Sequence, residues 1–168
     1  FGDRAEYMVE TITPENLTSY GGGFLIADSI HHQKRYRTWS LKSDVPSYLA
    51  SVAIGEYEEY RNIYHSIVAD NVVPILIATK PSLLANVKPS FKNLNKALRV
   101  YENSFYPYQF ERVGYVGVPF NGGAMEHACN IAYPNFAIDG SLKYETLMAH
   151  ELAHHWWGNL VTTANAKE

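Results

Sequence analysis

The sequence holds a single cysteine, Cys129, so it can form neither an internal disulfide framework nor a multi-cysteine zinc site. It also lacks an excess of positive charge. Its 14 Lys and Arg are outnumbered by 17 Asp and Glu, for a formal net charge of −3. No basic cluster stands out, so nucleic acid is not an expected partner. Long hydrophobic runs are missing too. Stretches such as Ile75-Leu76-Ile77-Ala78 are short against the roughly 20 apolar residues of a membrane helix, and no membrane segment is expected. Internal repeats and low-complexity tracts are absent. What is present is apolar and aromatic: 46% hydrophobic and 14% aromatic residues against 18% charged. That is enough to bury a core and excludes disorder as the main state. A length of 168 residues fits one domain or pieces of two, and both ends read as cut from a longer chain.

The pattern along the chain predicts an α+β protein. Ala5 to Ile12 alternates, with Tyr7, Val9 and Thr11 on one face and Met8, Glu10 and Ile12 on the other. Strands are also predicted at Phe24 to Ala27, Tyr36 to Leu41 and Ser47 to Ile54. His31-His32 reads as a solvated loop. Charge rises and apolar content falls at Gly55 to Glu59, which puts a boundary there: residues 1–54 as part of a β-rich domain, residues 55–168 as part of a second. Tyr60 to Val68 and Val73 to Lys80 read as strands around an Asp70-Asn71 turn. Phe91, Leu94, Leu98, Tyr101 and Phe105 recur at three and four, which predicts one helix with Pro89 at its first position. Arg112 to Phe120 reads as a strand and Asn121 to Tyr133 as extended. A last helix is predicted from an N-cap at Ser141 to about Trp157, closed by Gly158.

That last helix carries His150-Glu151-Leu152-Ala153-His154, an HExxH pattern. Residues four apart lie one above the other, about 6 Å along the axis, so two imidazoles can converge on one zinc ion. Glu151 is turned about 100° from His150 and borders the metal without binding it. A water acidified by zinc to a pKa of about 7 can lose its proton to such a carboxylate. His150 and His154 are thus candidate metal ligands and Glu151 a candidate general base. His155 points elsewhere and reads as a packing residue. The metzincin extension needs Gly at position 157 and His at 160, where this chain has Trp157 and Leu160. A third ligand is still required, and the only carboxylate after His155 is Glu168. The third ligand therefore lies upstream or past the end of the sequence.

His150 through Thr162 (HELAHHWWGNLVT) closely resembles the zinc helix of the gluzincin aminopeptidases, the relatives of membrane alanyl aminopeptidase. Gly123-Ala124-Met125-Glu126-His127 resembles that family's Gly-X-Met-Glu-Asn exopeptidase motif. Tyr106 to Val113, Val118-Pro119-Phe120 and Pro46 to Val52 are also similar to the family. The resemblance implies one zinc ion, a third glutamate ligand on a following helix past Glu168, and an oxyanion-stabilising tyrosine further on. It implies that Glu126 holds the free α-ammonium of a peptide substrate, which explains removal of one residue from the N-terminus. Gly123, Ala124 and Met125 would lie along the substrate, where an open, extended edge can pair with a peptide. His127 stands where the family has Asn, and an imidazole there would add a positive charge or a pH response.

The expectation is a zinc aminopeptidase acting on peptides with a free N-terminus. Its fold would be the tail of an N-terminal β-domain followed by the first half of a thermolysin-like (zincin) catalytic domain. Two alternatives stand beside it: that this chain is a non-catalytic fragment or module, and that the zinc serves a thermolysin-type endopeptidase, against which the Gly123–Glu126 segment argues.

Overall fold

The computed structural model describes residues 3–163, which form nine strands and three α-helices. The first sheet has the order β1-β4-β3 and is antiparallel, from β1 (Arg4–Pro14), β3 (Phe24–His31) and β4 (Lys34–Pro46). The predicted alternation in β1 is present: Tyr7, Val9 and Thr11 are half-buried, while Met8, Glu10 and Ile12 face outward. His31 ends β3, and His32 and Gln33 turn the hairpin into β4 with φ of 49° and 62°, the left-handed pair that a two-residue hairpin demands.

The stretch expected to be one strand from Ser47 to Ile54 divides. Ser47–Leu49 is a 3-10 turn, closed by the Ala50 N–H on the Ser47 carbonyl. Only β5 (Val52–Gly55) is extended, and it pairs antiparallel with β2 (Thr18–Gly21). The third sheet is mixed, in the order β6-β7-β8-β9. β6 (Glu58–His65) runs antiparallel to β7 (Val72–Thr79). β8 (Val113–Val118) and β9 (Ile131–Pro134) continue it in parallel.

Strand periodicity splits this sheet's side chains between two cores. Ile75, Ile77, Val113, Tyr115 and Ile131 join the larger cluster, with Leu94 and Leu98 from the helices, Met148, Leu152 and Trp156 around the histidine motif, and Leu41, Val45 and Leu49 from the first part of the chain. Leu76, Ala78 and Val116 face the other way, against Tyr20 and Trp39. The mixed sheet is therefore covered by helices on one face and by the β2 and β4 strands on the other.

The single helix expected around Phe91 to Phe105 is two: α1 (Leu84–Ser90) and α2 (Leu94–Ser104). Pro89 lies inside α1 rather than at its start. The chain then bends through residues 91–93, where the Phe91 N–H bonds the Val87 carbonyl and the Leu94 N–H bonds the Phe91 carbonyl. Phe91, Leu94 and Leu98 are nonetheless all buried, because the bend keeps Phe91 on the face that α2 presents to the sheet. The last helix, α3 (Glu145–Ala153), starts later and ends earlier than expected. Ser141 does not cap it. Its hydroxyl donates to Asp139 and accepts from the Lys143 N–H, in the turn that precedes the helix. Residues 121–133 are not a continuous strand: outside β9, only Met125 makes a bridge, to Ala132. No helix among the described residues is long and apolar enough to cross a membrane.

Candidate metal centre

Three tyrosine hydroxyls fasten α3 and its approach to its neighbours. Tyr115 on β8 donates to the Met148 carbonyl (2.8 Å), Tyr101 on α2 to the Ala149 carbonyl (2.9 Å), and Tyr133 on β9 to the Tyr144 carbonyl (3.1 Å). Met148 and Leu152 are buried against the sheet. With that face fixed inward, His150 and His154 lie on the outer side, exposed and half-buried respectively.

His154 is the C-cap of α3, but its backbone stays helical (φ −58°, ψ −25°), so the four-residue spacing is preserved. The two imidazole Nε2 atoms face each other at 3.2 Å, with the ring planes at 85°. Nδ1 of His154 lies 3.0 Å from the Trp157 carbonyl. A carbonyl only accepts, so the proton sits on Nδ1 and Nε2 offers its lone pair. Two nitrogen ligands of one tetrahedral zinc stand about 3.3 Å apart, given Zn–N bonds of about 2.0–2.1 Å. The pair therefore suits one zinc ion. No third His, Cys, Asp or Glu joins it in a metal-binding group among the described residues, and Glu168 lies outside them.

Glu151 is 4% exposed and turned inward from the histidines. Burial pushes its carboxyl up to about 7; His154 opposes the rise and Glu126 adds to it. A carboxyl near neutrality can take up a proton and give it back at ordinary pH. Glu126 is half-buried, and its carbonyl accepts from Asn159 Nδ2 (2.7 Å), which joins the stretch after α3 to the 123–127 segment.

That segment is pinned at its C-terminal side and open at its N-terminal side. The Met125 N–H and carbonyl exchange hydrogen bonds with Ala132 (3.0 and 2.9 Å), and the His127 N–H also bonds the Met125 carbonyl (2.9 Å). Met125 is thus committed within the chain. Gly123 has φ +67°, and a Cβ there would meet nothing within 4 Å, so its glycine serves the backbone turn and leaves open space beside it. Among the described residues, no main-chain hydrogen bond engages Gly123 or Ala124. Burial lowers the pKa of His127 below the ordinary value, against the pull of Glu126, which favours the neutral ring.

His155, read as a packing residue, is buried beside Tyr108 and Phe110. Burial takes its pKa down to about 3. The Tyr108 hydroxyl donates to the Arg112 carbonyl (2.9 Å) and so accepts from His155 Nδ1 (2.7 Å). Three residues escaped the sequence reading. Tyr48, on the 3-10 turn, has its hydroxyl pKa raised by burial and by Glu126. Asn159 donates from Nδ2 to the Glu126 carbonyl (2.7 Å). Arg4 bonds the Asn159 carbonyl and the Thr162 hydroxyl, each at 3.0 Å. No periodicity marks these positions. The one available signal was that Asn159 lies within the His150 to Thr162 stretch that resembles the family.

Residues 90–167 match the Peptidase family M1 domain. A leucyl aminopeptidase of Saccharolobus solfataricus is 33% identical over 126 residues, 69% of this chain and 15% of that protein. Human aminopeptidase B is 30% identical over 125 residues, 72% of this chain and 18% of that protein. Aminopeptidase N of Streptomyces lividans is 28% identical over 172 residues, 95% of this chain and 19% of that protein. The chain thus spans less than a fifth of the length of these relatives. Among solved structures, an M1 zinc metallopeptidase of Deinococcus radiodurans bound to a Tyr-Ser-Ala substrate superposes with a TM-score of 0.84 at 23% identity, over 97% of this chain and 36% of that one. Aminopeptidase A of Legionella pneumophila, in complex with aspartic acid, superposes with a TM-score of 0.80 at 23% identity, over 97% of this chain and 21% of that one. At that identity the superpositions speak for the fold.

Proposed function

The chain belongs to the M1 family of zinc aminopeptidases, and from that premise we propose that the polypeptide carrying it removes single residues from the N-terminus of peptides. One observation carries the reading: the Nε2 atoms of His150 and His154 converge at 3.2 Å, with the buried Glu151 between them in sequence. His150 and His154 would hold one zinc ion, completed by a ligand from beyond the described residues. When bound, the metal would polarise the scissile carbonyl and acidify a water.

Glu151 receives a proton at its carboxylate and returns it to the leaving amine, and a pKa near 7 suits both directions. Glu126 binds the substrate's α-ammonium, the role the family resemblance implies, and so leaves one residue between amine and scissile bond. Gly123 and Ala124 offer main-chain groups along which the peptide lies as an added strand. In this reading residues 55–168 are part of a thermolysin-like catalytic domain and residues 1–54 close the β-domain that precedes it.

A second reading concerns the 168-residue chain by itself. Among its described residues there is no three-ligand group, which favours weak metal binding and little turnover in isolation. The test compares peptides with free and acetylated N-termini. Stepwise release of the first residue from the free peptides alone is expected of the whole polypeptide. Internal cleavage of the acetylated peptides would overturn the aminopeptidase reading in favour of an endopeptidase.

A further inference from the structure

The histidine pair and Glu126 come from different elements, and their separation decides which bond would face the metal. One residue joins them. Asn159 is 0% exposed. Its backbone N–H donates to the carbonyl of His154 itself (2.9 Å), and its side-chain Nδ2 donates to the carbonyl of Glu126 itself (2.7 Å). A carbonyl only accepts, so the amide orientation of Asn159 is fixed. The same residue's own carbonyl is held by Arg4 Nη2 (3.0 Å), which also bonds the Asp44 carbonyl.

The chain reaches this position because it reverses at Gly158, where φ is +134°. The Leu160 and Val161 N–H groups then return to the His155 and Trp156 carbonyls (3.2 and 3.3 Å). The turns that follow α3 are thereby tied to the loop that carries Asn159. On the other side, Glu126 is flanked by the Met125–Ala132 bridge and by the Ala128 N–H on the Leu49 carbonyl (3.0 Å).

We infer that Asn159 is a positioning residue: by bonding the backbones of His154 and Glu126 at once, it sets the distance between the metal-binding pair and the carboxylate that anchors the substrate amine, and with it the one-residue register of cleavage. This rests on the aminopeptidase reading for its functional consequence, but the tie itself does not.

The test uses the natural polypeptide with Asn159→Ala and, should that variant fold poorly, Asn159→Asp, which keeps the shape and loses the donor. The substrates are anilides of an α-amino acid and of the matching β-amino acid, whose amine stands one methylene further from the scissile carbonyl. Wild type is expected to prefer the α substrate strongly. The variants are expected to lose about tenfold of that preference, chiefly through kcat on the α substrate, with zinc content unchanged. If both substrates fall together and the ratio holds, the positioning role is overturned.

Amide hydrogen exchange gives a readout free of turnover. Residues around Glu126 should exchange about tenfold faster in the variants while β8 is unaltered. Equal protection of the Glu126 segment in wild type and variant overturns the inference. Wild type that hydrolyses neither substrate would overturn the aminopeptidase reading instead, and the exchange data would still decide on the tie.

Discussion

The Tyr115 hydroxyl donates to the Met148 carbonyl over 2.8 Å, so the central sheet grips the histidine helix two residues before His150. Tyr115 is 1% exposed, and burial raises its hydroxyl pKa well above the ordinary value. Tyr115→Phe keeps the ring and removes only the hydrogen bond. The expected loss is about 1 kcal/mol of unfolding free energy, read as a shift of the urea midpoint at unchanged slope.

The amine anchor predicts a substrate-selective defect. Glu126→Gln keeps the volume and removes the charge. In the whole polypeptide kcat/KM for free-amine peptides should fall by about 3 kcal/mol, roughly two orders of magnitude. Zinc content should not change. An unaltered kcat/KM would show that the amine is held elsewhere.

Metal dependence separates the two histidines from their surroundings. Dialysis against a strong chelator is expected to abolish hydrolysis, and added zinc to restore it. His154→Ala should lower zinc affinity at least tenfold, as elemental analysis after dialysis would record.

Glu102 contributes to the pH dependence of folding. Its carboxylate is buried, which alone would raise its pKa, but bonds from the Tyr108 N–H, Tyr64 hydroxyl, Ser66 hydroxyl and Ile67 N–H bring it below the ordinary 4.5. A carboxyl lowered on folding stabilises the protein above its unfolded pKa, and that contribution is lost as the pH falls through the folded value. The wild type should therefore weaken progressively below pH 4.5. Glu102→Gln should cost about 2–4 kcal/mol at pH 7 and flatten this acid limb, as urea midpoints at pH 7 and pH 4 would show.

Cys129 is expected to be chemically silent. It is fully buried, and burial pushes its thiol up to about 12. A thiol-reactive chromogen should give no signal from the native protein and one equivalent after denaturation.

Much of this was legible in the sequence for a physical reason. Tyr7, Val9 and Thr11 alternate with Met8, Glu10 and Ile12 because β1 has one face on the protein and one on solvent. His150 and His154 share a helix face because 3.6 residues make a turn. The misreadings arose where local signals have two outcomes. Pro89 fits the first turn of a helix, yet it also fits near the end of the short α1, just ahead of the bend at 91–93. Ser141 has the chemistry of an N-cap, but Asp139 lies two residues away and takes its hydroxyl first. Asn159 acquires its partners only in three dimensions, from residues 126 and 4.

The hydrogen bond from Arg4 to Thr162 spans 158 positions. Closing so long a loop costs chain entropy that no local contact offsets, so such a contact belongs to the end of folding rather than its start. The histidine pair, by contrast, needs only one helical turn. An incompletely folded chain would hold its metal ligands before the amine anchor was in register with them. Under the proposed function, the ability to choose a bond would thus arrive later than the means to break it, and the tie from Arg4 would be among the last contacts to form.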